Sequence, residues 1–258
     1  MNSGLTKATV NLKKLISAFS YAGKDFFCSA VITAAGSSTR MNTDGSNISK
    51  QLLELDGKPV LSYSITAFND SKYCKEIIVV VKASEKDEIQ NLIAGMKLNI
   101  PVKVAVGAGT RAQSVKNGFL TVSDKCKYVA IHDGARPLIT AQAIDRLYEA
   151  AFRHGAACAA TKVSDSMKRA DKSGFISATV DRDGLYAVQT PQVFMKDMYS
   201  ASVAVMDKAR EYTDDCAIVS DAGFRIKLVN IGCDNIKLTV KDDISLSEML
   251  LKARKENK

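Results

Sequence analysis

The sequence predicts one α/β domain with a mainly parallel sheet, helices on both faces and a protruding β-hairpin arm. Three observations carry that prediction. Short β-branched runs alternate with amphipathic stretches of helical spacing, which is the pattern of strand–helix–strand crossovers. One long excursion, 164 to 190, breaks the alternation with glycines and a period-two run, Phe175-Ile176-Ser177-Ala178-Thr179-Val180, and so reads as a hairpin arm. The chain has 258 residues, 46% hydrophobic and 25% charged, within ordinary globular usage and the size of one large α/β domain.

Residues 1–25 are read as a poorly structured extension. They lack the compact apolar region and small-residue cleavage site of a secretory signal, although Leu12, Leu15, Ile16 and Phe19 have helical spacing among lysines and serines. An organelle transit peptide is the alternative. The domain itself is taken as 26–258, opening with a strand at Cys28–Thr33. An amphipathic stretch at Pro59–Phe68 leads to a strand at Glu76–Val81, and Ser84–Met96 leads to Val102–Val106. Arg111–Val122 then leads to Tyr128–His132, and Ala141–His154 to Ala156–Val163. After the arm, Arg225–Val229 reads as the last strand and Ile244 opens a C-terminal helix. In such a sheet ligands bind outside the carboxyl ends of the strands, so each loop that follows a strand is a candidate site.

Several function classes are excluded. The longest uncharged stretch, Phe26–Thr39, is too short and too rich in Ser, Thr and Gly for a bilayer, which needs about 20 apolar residues. The net charge of +8 is largely terminal: the first 24 residues carry four lysines and no acid, and the last eight carry four bases against Glu256. The body is left near +1, with no Trp and no basic stripe, which argues against nucleic acid as a partner. Six scattered cysteines without a C-x-x-C pair, and only two histidines, speak against a zinc site or a disulfide framework and fit a reducing cytoplasm.

The richest loop follows the first strand, Thr33-Ala34-Ala35-Gly36-Ser37-Ser38-Thr39-Arg40-Met41, and continues to Ser49-Lys50-Gln51. Small residues let backbone N–H groups face a polyphosphate, while Arg40 and Lys50 add the charge that phosphoryl transfer needs. The loop fits neither the P-loop nor the dinucleotide fingerprint, and by itself it also reads as a flexible Ser/Gly loop with solvated bases. A second loop, His132-Asp133-Gly134-Ala135-Arg136-Pro137, places a carboxylate at a strand end, where it can hold Mg²⁺ beside a triphosphate or simply cap a turn. Arg136 could fork onto a phosphate or hydroxyl of a second substrate. His132 reads as a packed core residue and His154 as a surface residue at a helix end.

Three further clusters follow at Asp165-Ser166-Met167-Lys168-Arg169, Val180-Asp181-Arg182-Asp183-Gly184-Leu185 and Gln189-Thr190-Pro191-Gln192-Val193-Phe194, and a last one at Asp234-Asn235-Ile236-Lys237-Leu238-Thr239. Taken in order with A-A-G, R-M, K-Q and H-D-x-A-R-P, they give a pattern that resembles the 2-C-methyl-D-erythritol 4-phosphate cytidylyltransferase family of the non-mevalonate isoprenoid pathway, from about Cys28 to the C-terminal helix. The resemblance implies a Rossmann-like fold and transfer of a cytidylyl group from CTP, the co-substrate, to methylerythritol phosphate with Mg²⁺ and release of pyrophosphate. It implies that Arg40, Lys50, Arg182 and Lys237 are catalytic, the last two also binding the acceptor together with Arg136, Ser166 and Thr190. It implies that Ala34, Ala35, Gly36, Ser37, Gly109, Arg111 and Ser114 hold CTP, and that Asp133 binds the metal. It further implies a homodimer in which the arm completes the partner's site. The sequence departs from the family at Thr33, Ser38, Ser49 and Gly109, and the stretch from Met41 to Lys50 is longer than usual.

The nearest alternative is a ribitol 5-phosphate cytidylyltransferase on the same scaffold. It is disfavoured by Gly134-Ala135 in the second loop and by Met167-Lys168-Arg169 in the arm. A nucleotide-binding protein without turnover would be expected to lack Arg40, Lys50, Asp133 or Lys237, and all four are present. A cytoplasmic location is expected, or a plastid if the basic leader is a transit peptide.

Overall fold

A computed structural model describes residues 26–36, 49–207 and 210–256. The first strand, β1 (Cys28–Thr33), is buried along nearly its whole length and is an interior strand of a seven-stranded sheet. A short hairpin, β2 (Glu54–Leu55) and β3 (Lys58–Pro59), leads into α1 (Val60–Asn69), and the chain returns through β4 (Cys74–Val81). Helix α2 (Lys86–Ala94), preceded by a single 3₁₀ turn, connects to β5 (Val102–Val106), and α3 (Arg111–Phe119) connects to β6 (Tyr128–Asp133). Then follow α4 (Ala141–His154), β7 (Ala156–Lys162), the pair β8 (Met167–Ala170) and β9 (Ile176–Val180), and β10 (Tyr186–Met195). Helices α5 (Lys196–Val205) and α6 (Asp215–Asp221), strand β11 (Lys227–Asn230) and α7 (Asp242–Glu256) complete the chain.

The spatial order is β11-β7-β10-β6-β1-β4-β5. All neighbouring pairs are parallel except those of β10, which runs antiparallel to both β6 and β7. From β1 the chain steps outward to β4 and β5, then recrosses to β6 on the other side of β1. The carboxyl ends of β1 and β6 therefore bound a topological switch point, where open α/β sheets bind ligands.

Period-two alternation along the strands divides the core into two layers. Ala30 and Ile32 of β1 with Ile77 and Val79 of β4 pack beneath α1 and α4, through Ile65, Phe68, Leu147 and Tyr148. Val31 of β1 with Ile78 and Val80 of β4 faces Val115 of α3, Met198 and Tyr199 of α5 and Val219 of α6. Helix α3 sits close on the sheet because Gly118 lacks a side chain: a Cβ there would lie 2.5 Å from Val80 Cγ2 and 2.6 Å from Val31 Cγ1.

The observed elements differ from the expected ones mainly at their ends. The third helix stops at Phe119, not Val122; the strand expected at Glu76 begins at Cys74; and the last strand is shifted to Lys227–Asn230. The larger difference is β10. Pro191 marks that stretch as a loop in the sequence, yet the strand continues through it, with the register against β7 interrupted between Val188 and Gln192. The span expected as an arm, 164 to 190, thus contains an antiparallel pair, β8 with β9, while its last residues already belong to the central sheet. Every residue of β8 is exposed, as are Phe175 and Ile176. The proposed extension, 1–25, lies outside the described residues.

Candidate active site

The ends of β1 and β6 meet in register, Thr33 beside Asp133. Ala34 still belongs to the ladder, since its N–H donates to the Val80 carbonyl at 2.7 Å, so Ala35 and Gly36 are the first residues to leave the sheet. They line one wall of a cleft of about 310 Å³, together with Thr33, Lys50 and Gln51. The facing walls are residues 108–111 with Ser114, then Asp133 and Ala135, and finally Lys237.

One end of the cleft is built from backbone. Gly107 continues from β5 with its N–H on the Val81 carbonyl at 2.8 Å, and a Cβ on it would stand 2.6 Å from Ala35 Cβ and 2.8 Å from Ser114 Oγ. Only glycine lets the two loops meet there. The Ser114 hydroxyl accepts from Ala108 N–H at 3.0 Å and donates to the Ala108 carbonyl at 3.2 Å, which holds that turn. Thr110 caps α3 by accepting from Gln113 N–H at 3.2 Å, leaving Arg111 as the first helical residue.

The other end is charged. Lys237 Nζ lies 2.7 Å from Asp133 Oδ2 and Arg111 Nη2 lies 3.5 Å from Asp133 Oδ1. Lys50 Nζ donates to the Leu238 carbonyl at 3.2 Å, while Leu238 N–H donates to the Ala135 carbonyl at 2.8 Å, so residues 237–238 are pinned between both walls. Burial opposes ionisation of Asp133, but Lys237, then Arg111 and more weakly Arg136 overcome it and hold the carboxyl well below the usual carboxylate range. It is an anion at any physiological pH.

Behind the cleft, His132 is fully buried, and burial pushes its pKa down to about 4 despite the neighbouring Asp133 charge. Asp133 N–H donates to Thr190 Oγ1 at 3.0 Å, which leaves the threonine hydrogen for His132 Nδ1 at 3.2 Å. The neutral ring then carries its proton on Nε2, 3.3 Å from the Arg136 carbonyl. Arg136 Nη1 donates to the Asn235 carbonyl at 2.7 Å, and Asn235 Nδ2 donates to the Thr190 carbonyl at 2.9 Å. This buried ring of contacts joins the ends of β6 and β10 to the segment that bears Lys237.

The residues singled out in the sequence divide into three groups. Ala35, Gly36, Lys50, Gly109, Arg111, Ser114, Asp133 and Lys237 come together around the cleft. Ser37 and Arg40 lie outside the described residues. The remaining five do not line the cleft. Ala34 is buried in the sheet, and Arg136 and Thr190 are turned into the ring behind Asp133 because their polar atoms find backbone and histidine partners there. Ser166 and Arg182 are exposed in the span expected as an arm, where the Arg182 guanidinium donates to the Ser164 carbonyl. The segment that bears Lys237 is irregular and is fastened by single contacts.

Sequence reasoning missed Asp215, which holds Arg111 from behind, and the roles of Tyr199 and Gln192, which fix Asp215. The signal available was the acidic pair Asp214-Asp215 just before an apolar run, the pattern of a helix N-terminus, and Asp214 does cap α6 by accepting from Ala217 N–H at 2.8 Å. It also passed over Gln51, whose Oε1 is buried at the cleft wall without a hydrogen-bond partner among the described residues.

Comparison with known proteins identifies the family and the fold. The sequence model of the family described as IspD, 2-C-methyl-D-erythritol 4-phosphate cytidylyltransferase, matches residues 28–253. A protein of that name from Caldanaerobacter subterraneus is 42% identical over 226 residues, 87% of this chain and 98% of the relative. One from Bacillus velezensis is 37% identical over 229 residues, 88% and 97% of the two chains. Among solved structures, the 4-diphosphocytidyl-2C-methyl-D-erythritol synthase of Anaerococcus prevotii superposes with a TM-score of 0.76 at 27% identity, covering 89% of this chain and 100% of its own.

Proposed function

Because the chain belongs to the 2-C-methyl-D-erythritol 4-phosphate cytidylyltransferase family, we propose that the cleft between β1 and β6 is where its two substrates meet. The protein is a nucleotidyltransferase that joins CTP to 2-C-methyl-D-erythritol 4-phosphate and releases pyrophosphate. The names of its relatives favour this acceptor over ribitol 5-phosphate. The observation that carries the placement of the reaction is the convergence of Arg111 and Lys237 on one buried carboxylate at the carboxyl end of β6, with Lys50 lining the same cleft.

In this reading the base and ribose of CTP lie along Ala35, Gly36 and the loop from Gly107 to Ser114, where close backbone favours a pyrimidine over the larger purines. The triphosphate extends toward Lys50. The acceptor's phosphate is already an anion, so it attacks the α-phosphorus without a general base: a P–O bond forms to the acceptor as the bond to pyrophosphate breaks in line with it. Lys50, with Arg40 of the same loop, neutralises the transferring group and the departing pyrophosphate. Lys237 holds the acceptor phosphate. Ser37 belongs to the phosphate cradle by its place after Gly36. Arg136 and Thr190 serve the acceptor side from the ring that fixes Asp133.

Asp133 fits a Mg²⁺ ion. It is an ionised carboxylate with Thr33 Oγ1 3.5 Å from its Oδ1, and Mg²⁺ is commonly held by one or two carboxylates plus substrate phosphates and water. Among the described residues there is no cluster of three metal-ligating side chains. When bound, the ion would neutralise charge on the triphosphate. The exposed arm, with Phe175 and Ile176 uncovered, supports a homodimer in which Ser166 and Arg182 reach the cleft of a second copy. Bacterial relatives and six free thiols support a cytoplasmic enzyme; no helix among the described residues is long and apolar enough to cross a membrane.

The test is pyrophosphate release from CTP and Mg²⁺ with methylerythritol 4-phosphate and ribitol 5-phosphate offered separately to the purified protein. Release with the first acceptor alone is expected. Release with ribitol 5-phosphate alone, or with neither, overturns the reading.

A further inference from the structure

Arg111, which lines the cleft, is gripped from outside it by a second carboxylate. Its Nη1 lies 2.8 Å from Asp215 Oδ2, closer than its 3.5 Å approach to Asp133. Asp215 is 1% exposed and takes no part in lining the cleft. Its other oxygen, Oδ1, accepts from the Tyr199 hydroxyl at 2.7 Å. Its backbone N–H and that of Cys216 both donate to Gln192 Oε1, at 3.1 and 3.0 Å. Tyr199 is itself fixed, stacked on Phe194 with ring centroids 5.3 Å apart and edge-on to Phe119 at 5.0 Å. The carboxylate of Asp215 therefore has one orientation.

That arrangement solves a specific difficulty. Arg111 is the first residue of α3, where the positive end of the helix dipole disfavours a cation, and it is also half-buried. With Asp133 as sole acceptor it would close on that carboxylate and draw it from Lys237. Asp215 takes the tighter pair, so the guanidinium is held along the cleft wall and Asp133 keeps its 2.7 Å contact with Lys237.

We propose that Asp215 is a positioning residue for the reaction: buried behind the cleft and oriented by Tyr199 and Gln192, it holds Arg111 in the place where the guanidinium meets the nucleotide. The proposal rests on the reading of this cleft as the CTP site. It assigns Asp215 chiefly to the nucleotide half of the reaction, because the acceptor half, built from the arm and the segment bearing Lys237, is reached from Arg111 only through Asp133.

The experiment compares wild type, Asp215→Asn and Tyr199→Phe by calorimetric titration of CTP without acceptor, by the KM for each substrate, and by thermal midpoint. Asp215→Asn keeps the size and an acceptor for Tyr199 but removes the charge that faces Arg111. It is expected to weaken CTP binding roughly tenfold or more, as truncation of a buried charge pair does. The acceptor KM should rise by a clearly smaller factor, since Arg111 and Lys237 are coupled only through Asp133. Tyr199→Phe retains the ring packing and should weaken CTP binding in the same direction by a smaller factor. Unchanged CTP affinity in a folded Asp215→Asn overturns the proposal, as does an equal rise in both KM values, which marks a general structural role. If Asp215→Asn does not fold, Tyr199→Phe decides, and wild-type CTP affinity in it is refuting. Wild type that binds no CTP overturns the reading of the cleft instead.

Discussion

Buried His132 makes the protein sensitive to mild acid in a way that can be calculated. Its pKa is lowered from the ordinary 6.5 to about 4 by burial, so the unfolded chain binds a proton between those values that the folded protein refuses. A depressed histidine pKa means that the stabilisation is fully present above pH 6.5 and is lost as pH falls toward 4. The whole shift corresponds to about 3 kcal/mol, at 1.36 kcal/mol per unit, and about 2 kcal/mol of it is gone by pH 5. Only one other histidine exists in the chain, His154, and it is exposed at the end of α4. The assay is urea unfolding of wild type and His132→Gln at half-unit steps from pH 7.5 to 5, above the range where ordinary carboxylates titrate. Wild type should lose about 2 kcal/mol across that range, with the steepest loss below 6.5. The variant, less stable at pH 7.5, should show a nearly flat profile. A variant with the same slope as wild type would refute the assignment, since the missing proton would then belong elsewhere. The loss bears on activity as well: a protonated ring cannot accept the Thr190 hydroxyl, and Thr190 holds the backbone of Asp133.

Two further outcomes test the cleft. Lys50→Ala should lower kcat/KM roughly 100-fold or more through loss of one preorganised cation, while its free energy of unfolding in urea falls by no more than about 1.5 kcal/mol for the lost contact with the Leu238 carbonyl; turnover near wild type refutes its role. Gly107→Ala pushes a methyl to within 2.6 Å of Ala35 Cβ, so it should cost about 1–3 kcal/mol of stability and weaken CTP binding in titration. Gly95→Ala at the end of α2, whose methyl meets nothing nearer than 3.5 Å, is the control, and equal behaviour of the two variants refutes the close approach of the loops.

Legibility of the fold followed burial and periodicity. The parallel strands read plainly because each is a short apolar run followed by an amphipathic helix, and Cys28–Thr33, Val102–Val106 and Ala141–His154 stand where their residues place them. Strand β10 did not read, because Pro191 is a loop signal locally and the ladder that tolerates it comes from β6 and β7, far away in sequence. Helix ends were the next weakest: nothing in Leu120 to Val122 announces that α3 has already stopped, since the terminating contacts are made by the backbone.

What the amino-acid sequence determined alone was the order of its chemical groups: a small-residue loop with cations, a carboxylate at a strand end, a hairpin and a lysine near the C-terminus. Those are local properties, fixed by residue type and spacing, and they sufficed for the fold class and for the family. Which groups face one another was decided by the tertiary structure. Lys237 reaches Asp133 only because a segment without regular structure is pinned to Ala135 and Lys50, and Arg136 and Thr190 turn inward because a buried histidine and backbone carbonyls await them. Asp215 becomes meaningful only when β10, α5 and α6 converge behind Arg111. The physical reason is common to all three: a buried polar atom must find a partner, and the chain can supply that partner from any distance along its length.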